Sequence, residues 1–344
     1  MCIYIYTYIL LKLIFVCVMN YHVKSMKLIS ELVIGRTIRR LVYYDSHLFL
    51  LCQELGRWVI VVYHVMKNLT HSVVDVIHTG INTNYKISIF VVGSYNSQQH
   101  NSPIYEILVD FEGYIKVFTS LGLTQETGER GEEDGRQEQR LARNVNVSSS
   151  KLIDVVFFNS YYYVLTSTNS KLCIQCYRDD WSLLNLSVIP DNILPPKNRI
   201  DTWRLAILDN GKVMLLADDR DRRAISHIAN IHNDVHYNTR SNAYENGIVF
   251  VDTPTHRILT YTFDKMVTNN NLIILYSTDD NMLQILDSNF AVSETHTTYA
   301  KDISSYGDRF VILNPRSRLD IGYVDFYYAP EPKKLTKSIW ESFF

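Results

Sequence analysis

The sequence predicts an all-β fold, a β-propeller of six or seven blades, and three observations carry that prediction. Apolar runs joined by short polar turns recur along the chain, with turns near residues 55, 112, 169, 210, 255, 280 and 316. No long segment of helical period interrupts them between residues 27 and 330. The 24 Tyr and 14 Phe favour pleated, half-buried surfaces over helices. Hairpins that recur along a whole chain are the mark of a repeat architecture. Blades of about 40–50 residues fit the body six or seven times. A pair of β-sandwiches is the alternative, because spaced strands alone satisfy both architectures.

The first 26 residues have a texture of their own. Met1 to Met19 is apolar but carries Lys12 mid-run, and no small-residue cleavage site follows. The run reads as a dispensable leader, with folding starting near Met26. A signal peptide or anchor and a docked first strand are the other readings. The first clear hairpin joins His47–Cys52 to Trp58–Tyr63 through Leu55-Gly56. The second joins Tyr105–Val109 to Tyr114–Phe118 through Glu112-Gly113. Asp209-Asn-Gly211 supplies the residues that tolerate positive φ in a tight turn, and Thr168-Asn-Ser170 and Asp279-Asp-Asn281 are weaker versions. The gap between Thr253-Pro254 and Asp279-Asp280 is too short for a blade, so those two hairpins are expected to share one. Residues 124–150 mix charge with glycine and hold only a few scattered aliphatics, which reads as a disordered insertion between blades.

Composition excludes several classes. The net charge of −2 gives no whole-chain field toward nucleic acid or an anionic membrane. Arg36-Thr-Ile-Arg-Arg40 is too small a basic patch to change that. Five Cys in 344 residues suit a reducing compartment, cytoplasmic or nuclear, better than a disulfide framework. A secretory route applies only if residues 1–19 act as a signal peptide, and membrane attachment only if they are kept as an anchor.

The hairpins carry a family resemblance. Tyr105–Phe118, Ala206–Leu216, Ile153-Asp-Val-Val with Tyr163-Val-Leu-Thr166, and Asp302–Gly307 ahead of Phe310-Val-Ile-Leu313 resemble the strand-and-turn core of RCC1-type repeats. That resemblance implies a divergent propeller and, as a functional expectation, a regulator of a small GTPase. No functional residue carries over from it.

The motifs that could carry chemistry are few. Cys173-Ile-Gln-Cys176 has the CxxC spacing of metal and redox sites, but it falls in a strand, where positions three apart face opposite ways. It reads as two unpaired strand cysteines. His232, Asp234 and His236 would share one face of an extended strand and are the candidate metal ligands. Their setting of Asn and Arg reads as a polar connection instead. Asp218-Asp-Arg-Asp-Arg-Arg223 holds adjacent carboxylates, yet its alternating signs read as a turn between strands. No Gly-rich phosphate loop, nucleophile elbow or His-Glu-x-x-His motif occurs, so no catalytic residue and no cofactor is predicted.

Residues 331–344 form an amphipathic tail. Leu335, Ile339 and Trp340 fall on one helical face, and the chain ends on Phe343 and Phe344. Trp340, Phe343 and Phe344 are the candidate partner-binding residues, with packing back on the last blade as the alternative. Tyr95, Tyr237, Tyr244 and Tyr306 are read as loop tyrosines suited to an interface. The function expected is a non-enzymatic scaffold or adaptor that binds protein partners. A propeller enzyme or glycan-binding protein is the rival, and polar side chains converging in the central channel would distinguish it.

The insertion reading has a direct test. Replacing residues 124–147 by a short linker should move the melting temperature by less than about 5 °C, since exposed loop length has little effect on stability. A larger drop would make the segment structural.

Overall fold

The computed structural model describes residues 28–66, 70–85, 87–94, 104–111, 114–121, 143–146, 151–168, 171–178, 180–190, 203–219, 222–238, 243–250, 255–307, 309–314 and 322–328. The chain begins with β1 (Leu28–Ile34). The first blade is β2 (Ile38–Tyr44), β3 (His47–Glu54), β4 (Arg57–Val65) and β5 (His71–Asn82). The second is β6 (Ser88–Ser94), β7 (Ile104–Phe111), β8 (Tyr114–Leu121) and β9 (Arg143–Asn146). The third is β10 (Lys151–Phe158), β11 (Tyr161–Thr168), β12 (Lys171–Tyr177) and β13 (Leu183–Val188). The fourth is β14 (Arg204–Ile207), β15 (Lys212–Asp219) and β16 (Arg222–Asn238), whose outer edge is shared by β17 (Ala243–Phe250) and β18 (His256–Ile258). The fifth is β19 (Lys265–Asn269), β20 (Leu272–Ser277), β21 (Met282–Leu286) and β22 (Val292–Thr297). The sixth is β23 (Asp302–Tyr306), β24 (Arg309–Asn314) and β25 (Gly322–Tyr328), with β1 as its outer strand.

Every blade is an antiparallel sheet, and the described residues contain no helix. The blade count is therefore six, and the sandwich alternative falls away. Six apolar clusters fill the gaps between successive blades. One joins blades six and one around Leu32, Leu41, Leu50, Val61 and Val324. The next joins blades one and two around Phe49, Ile60 and Ile107. Leu108 and Val164 belong to the third, and Leu165, Trp203 and Leu215 to the fourth. Leu216 and Leu275 belong to the fifth, and Ile274 and Ile312 to the sixth, which closes the ring.

This packing explains the sequence pattern. A middle strand is covered on both faces, so it reads as one unbroken apolar run. In β3, Leu48, Leu50 and Cys52 face blade six while Phe49 and Leu51 face blade two. The turns near 55, 112, 169, 280 and 316 are the hairpins between second and third strands, where both flanks are most apolar. The turn at 210 lies between β14 and β15, where Gly211 has φ +77° and an added Cβ would sit 3.1 Å from the Ile231 carbonyl oxygen. The feature near 255 is not a hairpin. β17 and β18 both pair with β16, so blade four's outer edge is made of two strands, and Thr253-Pro254 lies outside the described residues. That edge does not share a blade with Asp279-Asp280, which belongs to blade five.

Four expectations fall partly or wholly outside the described residues, Tyr95 among them. The leader 1–26 does, and so does the tail with Trp340, Phe343 and Phe344. Of the expected insertion 124–150, Arg143–Asn146 forms the outer strand of blade two, and the rest lies outside the described residues. The linker replacement should therefore stop at residue 142.

Closure rests on β1, which pairs with β25 from Leu28↔Tyr327 to Ile34↔Gly322. Leu32 is buried there against both blade six and blade one. Leu32→Ala should lower unfolding free energy by about 2–4 kcal/mol in a urea titration. A loss below about 1 kcal/mol would mean that the ring does not depend on this strand.

Candidate functional site

The first strand of each blade lines a central channel of about 520 Å³. All six run the same way, because each blade is an antiparallel meander that returns from its outer strand to the next inner one. Their starting ends place one ring of side chains at the mouth: Arg40, Ser88, Asp154, Arg204, Lys265 and Asp302. Five of the six are charged. Two positions further on, half-buried Val42, Phe90, Val156 and Val267 line the same channel as an apolar collar. A charged ring over an apolar collar, in a space of this volume, has the form of a small-ligand site.

The two acids in the ring are tied into the wall. Asp302 Oδ2 accepts the Leu41 backbone N–H of the next blade at 2.9 Å. Its Oδ1 lies 2.6 Å from Lys265 Nζ and 3.5 Å from an Arg40 guanidinium nitrogen. Asp154 repeats the device between blades three and four, with Oδ2 accepting the Leu205 N–H at 2.9 Å and Oδ1 the Val155 N–H at 3.0 Å. Burial pushes the Asp154 carboxyl above its ordinary range, against the pull of Arg204 and the two N–H donors. Burial also depresses Lys265, which Asp302 offsets in part while Arg40 and Arg204 deepen the depression. Lys301, beside the ring, donates to the Ile38 carbonyl at 2.6 Å. It too is depressed, by burial first and then by Arg39, Lys265 and Arg40.

A second polar cluster lies at the opposite end of the inner strands. His47 Nδ1 sits 3.0 Å from the Tyr105 hydroxyl and 2.8 Å from the Asp45 carbonyl. Tyr105 also donates to the Asp45 carboxylate at 3.1 Å. Burial lowers the His47 pKa, which keeps the ring neutral as a hydrogen-bonded bridge between blades one and two.

The residues singled out from the sequence are dispersed. His232, Asp234 and His236 lie in β16, where the pairing register with β17 breaks between His232 and His236. Among the described residues no group of three metal-ligating side chains comes together. Cys173 and Cys176 are buried in β12, three positions apart. Burial raises Cys176 to about 11 and Cys52 to about 12, so both thiols stay protonated at neutral pH. Asp218 and Asp219 at the end of β15 are the backbone partners of Arg223 and Arg222 at the start of β16. Tyr237 and Tyr244 are cross-strand partners of β16 and β17, not loop residues. Tyr306 ends β23 and tilts against Tyr44 at 4.4 Å between ring centroids.

No protein-family model matches the chain, and no curated protein matches it. Solved propellers do. The PQQ-bound aldose sugar dehydrogenase of Streptomyces coelicolor is 10% identical at a TM-score of 0.52, over 89% of this chain and 98% of that one. The WD40 domain of Toxoplasma gondii coronin is 8% identical at 0.48, over 90% and 89%. A luciferin-regenerating enzyme is 11% identical at 0.45, over 87% and 96%. Identities this low speak to fold alone. The RCC1 resemblance accordingly reaches the propeller fold and no further.

Asp302 is the most connected side chain of the ring. Asp302→Asn leaves Lys265 buried without its counter-charge and should destabilise the protein by roughly 3–5 kcal/mol in chemical denaturation. If the loss were under about 1 kcal/mol, the pair would not be holding the ring.

Proposed function

We propose that the protein is a non-enzymatic interaction scaffold that docks a protein partner on the face where the inner strands begin. The observation that carries this reading is Leu55. It sits at the tip of the β3–β4 hairpin with φ +44°, and its side chain is fully exposed at 104%. A leucine in the left-handed region costs about 1 kcal/mol or more, and one that also shows its whole side chain to solvent has no folding benefit to offset that. Both central residues of this turn have positive φ, a conformation that Asn-Gly fills more cheaply than Leu-Gly.

The surroundings fit a docking face. Loops leading into the next blade adjoin the second hairpins here, as Thr83 N–H donating to the Gly56 carbonyl at 2.9 Å shows for the first blade. Those loops carry exposed Tyr85, Tyr261 and Tyr299, the last 64% exposed. Tyrosines are favoured interface anchors, because a rigid amphipathic ring loses little entropy on binding. They sit in the loops that lead from the first, fourth and fifth blades into the next. The tail residues Trp340, Phe343 and Phe344 remain proposed as a second contact. The protonated, buried thiols suit the cytoplasm or nucleus. No helix among the described residues is long and apolar enough to cross a membrane.

The strained leucine makes the test unusually sharp. Once affinity purification and mass spectrometry name a partner, its affinity is measured by calorimetry against two variants. Leu55→Asn should raise stability by about 0.5–1 kcal/mol while weakening the complex. Tyr299→Ala should weaken the complex by about 2 kcal/mol with stability unchanged. A partner whose affinity ignores both substitutions does not dock on this face.

A further inference from the structure

The outer strand of blade three is unlike the outer strands of the other five blades. β13 reads Leu-Leu-Asn-Leu-Ser-Val and carries no charged residue. β1 carries Glu31, β5 Asp75, β9 Arg143, β17 Glu245, β18 Arg257 and β22 Glu294. Charge on an edge strand guards its open backbone against pairing with another chain, and β13 lacks that guard. Its outer edge is open: among the described residues β13 pairs with β12 alone. Leu183, Leu186 and Val188 are about half exposed, at 54%, 47% and 45%. The three share one face, because their partners Tyr177, Gln175 and Cys173 lie two apart in β12. A bulge beside Tyr177 makes this alignment by taking up Leu184, which turns inward against the core between blades three and four. The row left outside is neutral and aliphatic.

We infer that β13 is a self-association edge, on which a second copy of this chain adds its own β13 antiparallel to the first. The occupant is a second copy because the strand is complementary to itself. A two-fold axis through Leu186 sets Leu186 against the partner's Leu186, so that the apolar row of one copy runs into that of the other. The same axis sets Asn185 against the partner's Ser187, an amide and a hydroxyl that can hydrogen-bond across the pair. A charge at the axis would meet its own copy, and the strand holds none. Pairing joins two four-stranded blades into one continuous sheet and satisfies the open backbone edge of both. The edge lies on the outer rim, away from the strand ends that carry Leu55 and Tyr299, so association leaves the docking face clear.

The test measures association of the purified full chain by sedimentation velocity across a wide concentration range. A strand pair this short should give a reversible dimer with a dissociation constant of about 10–100 µM. Leu186→Lys sets two like charges on the axis and should weaken association at least tenfold. The melting temperature should not change, since the side chain is half exposed. Leu186→Glu should behave in the same way. An equimolar mixture of the two variants should associate again as a heterodimer, because the axis then pairs opposite charges. Val73→Lys, an equal change on the outer strand of blade one, should leave association as it was. Amide hydrogen exchange in β13 should slow as the wild-type concentration rises, and should not in Leu186→Lys. Should Leu186→Lys fail to fold, Leu186→Glu and Val188→Lys decide by loss of association. The inference is overturned by a chain that stays monomeric above that concentration range, by a dimer that survives the charged substitutions, or by a mixture of the two Leu186 variants that fails to associate. An edge reserved for a different protein would leave the purified chain monomeric, which counts against the inference. None of these readouts depends on a partner docking around Leu55 and Tyr299.

Discussion

Burial of the middle strands on both faces is the constraint on which the rest of this structure depends. In β3, β7, β11, β15, β20 and β24, successive side chains alternate between the core shared with one neighbouring blade and the core shared with the other. A blade with one neighbour missing would expose a whole row of Leu, Ile and Val, a patch that water does not tolerate. The array therefore has no stable end short of a closed circle. That is why β1, from the start of the described chain, lies against β25 near its end. Closure by an early strand ties two distant parts of the sequence into one blade, so the sixth unit cannot finish folding before the first part of the chain is in place.

The same radial arrangement creates a difficulty at the centre. Each inner strand pairs on one side only, so its other edge presents N–H groups with no strand to receive them. Side chains from the preceding blade answer this. Asp302 and Ser304 accept the N–H groups of Leu41 and Tyr43, and Asp154 accepts that of Leu205. Buried carboxylates near the axis then call for cations, which Lys265, Arg40 and Arg204 supply. The charged ring is thus first a solution to backbone satisfaction. The cations are tied in as well: Lys265 donates to Asp302, Lys301 to the Ile38 carbonyl and Arg204 to the Trp203 carbonyl.

This logic also separates what the sequence makes legible from what it conceals. The middle strands announce themselves as unbroken apolar runs such as Leu48-Phe-Leu-Leu51, and their hairpins fix most of the blade positions. Inner strands are harder to see, because Arg40, Asp154, Arg204 and Lys265 interrupt them with charge that only the channel explains. Outer strands such as β13, with Leu183, Leu186 and Val188 exposed, follow no core pattern at all. The ring itself is invisible in one dimension. Arg40 and Asp302 stand 262 positions apart, and nothing local marks them as neighbours. Local clusters are no guide to the ring either: His232, Asp234 and His236 are close in sequence and lie in β16, away from the inner strands that line the channel.

Local conflict with the fold remains informative where it cannot be explained by packing. The other non-glycine sites of positive φ among the described residues carry Asp, Asn or Ser, as at Asp45-Ser46 and Asn159-Ser160, or a buried aromatic ring, as at Trp181 and Phe290. Leu55 differs from both groups, being apolar and burying nothing of itself. Natural sequences are consistent across levels except where function asks otherwise. A strained, fully exposed leucine above the six-bladed core is therefore not accounted for by what lies beneath it. The core fixes the loops in space, the inner-edge acids fix the cations at the mouth, and the surface between them is where this protein departs from what folding alone would select.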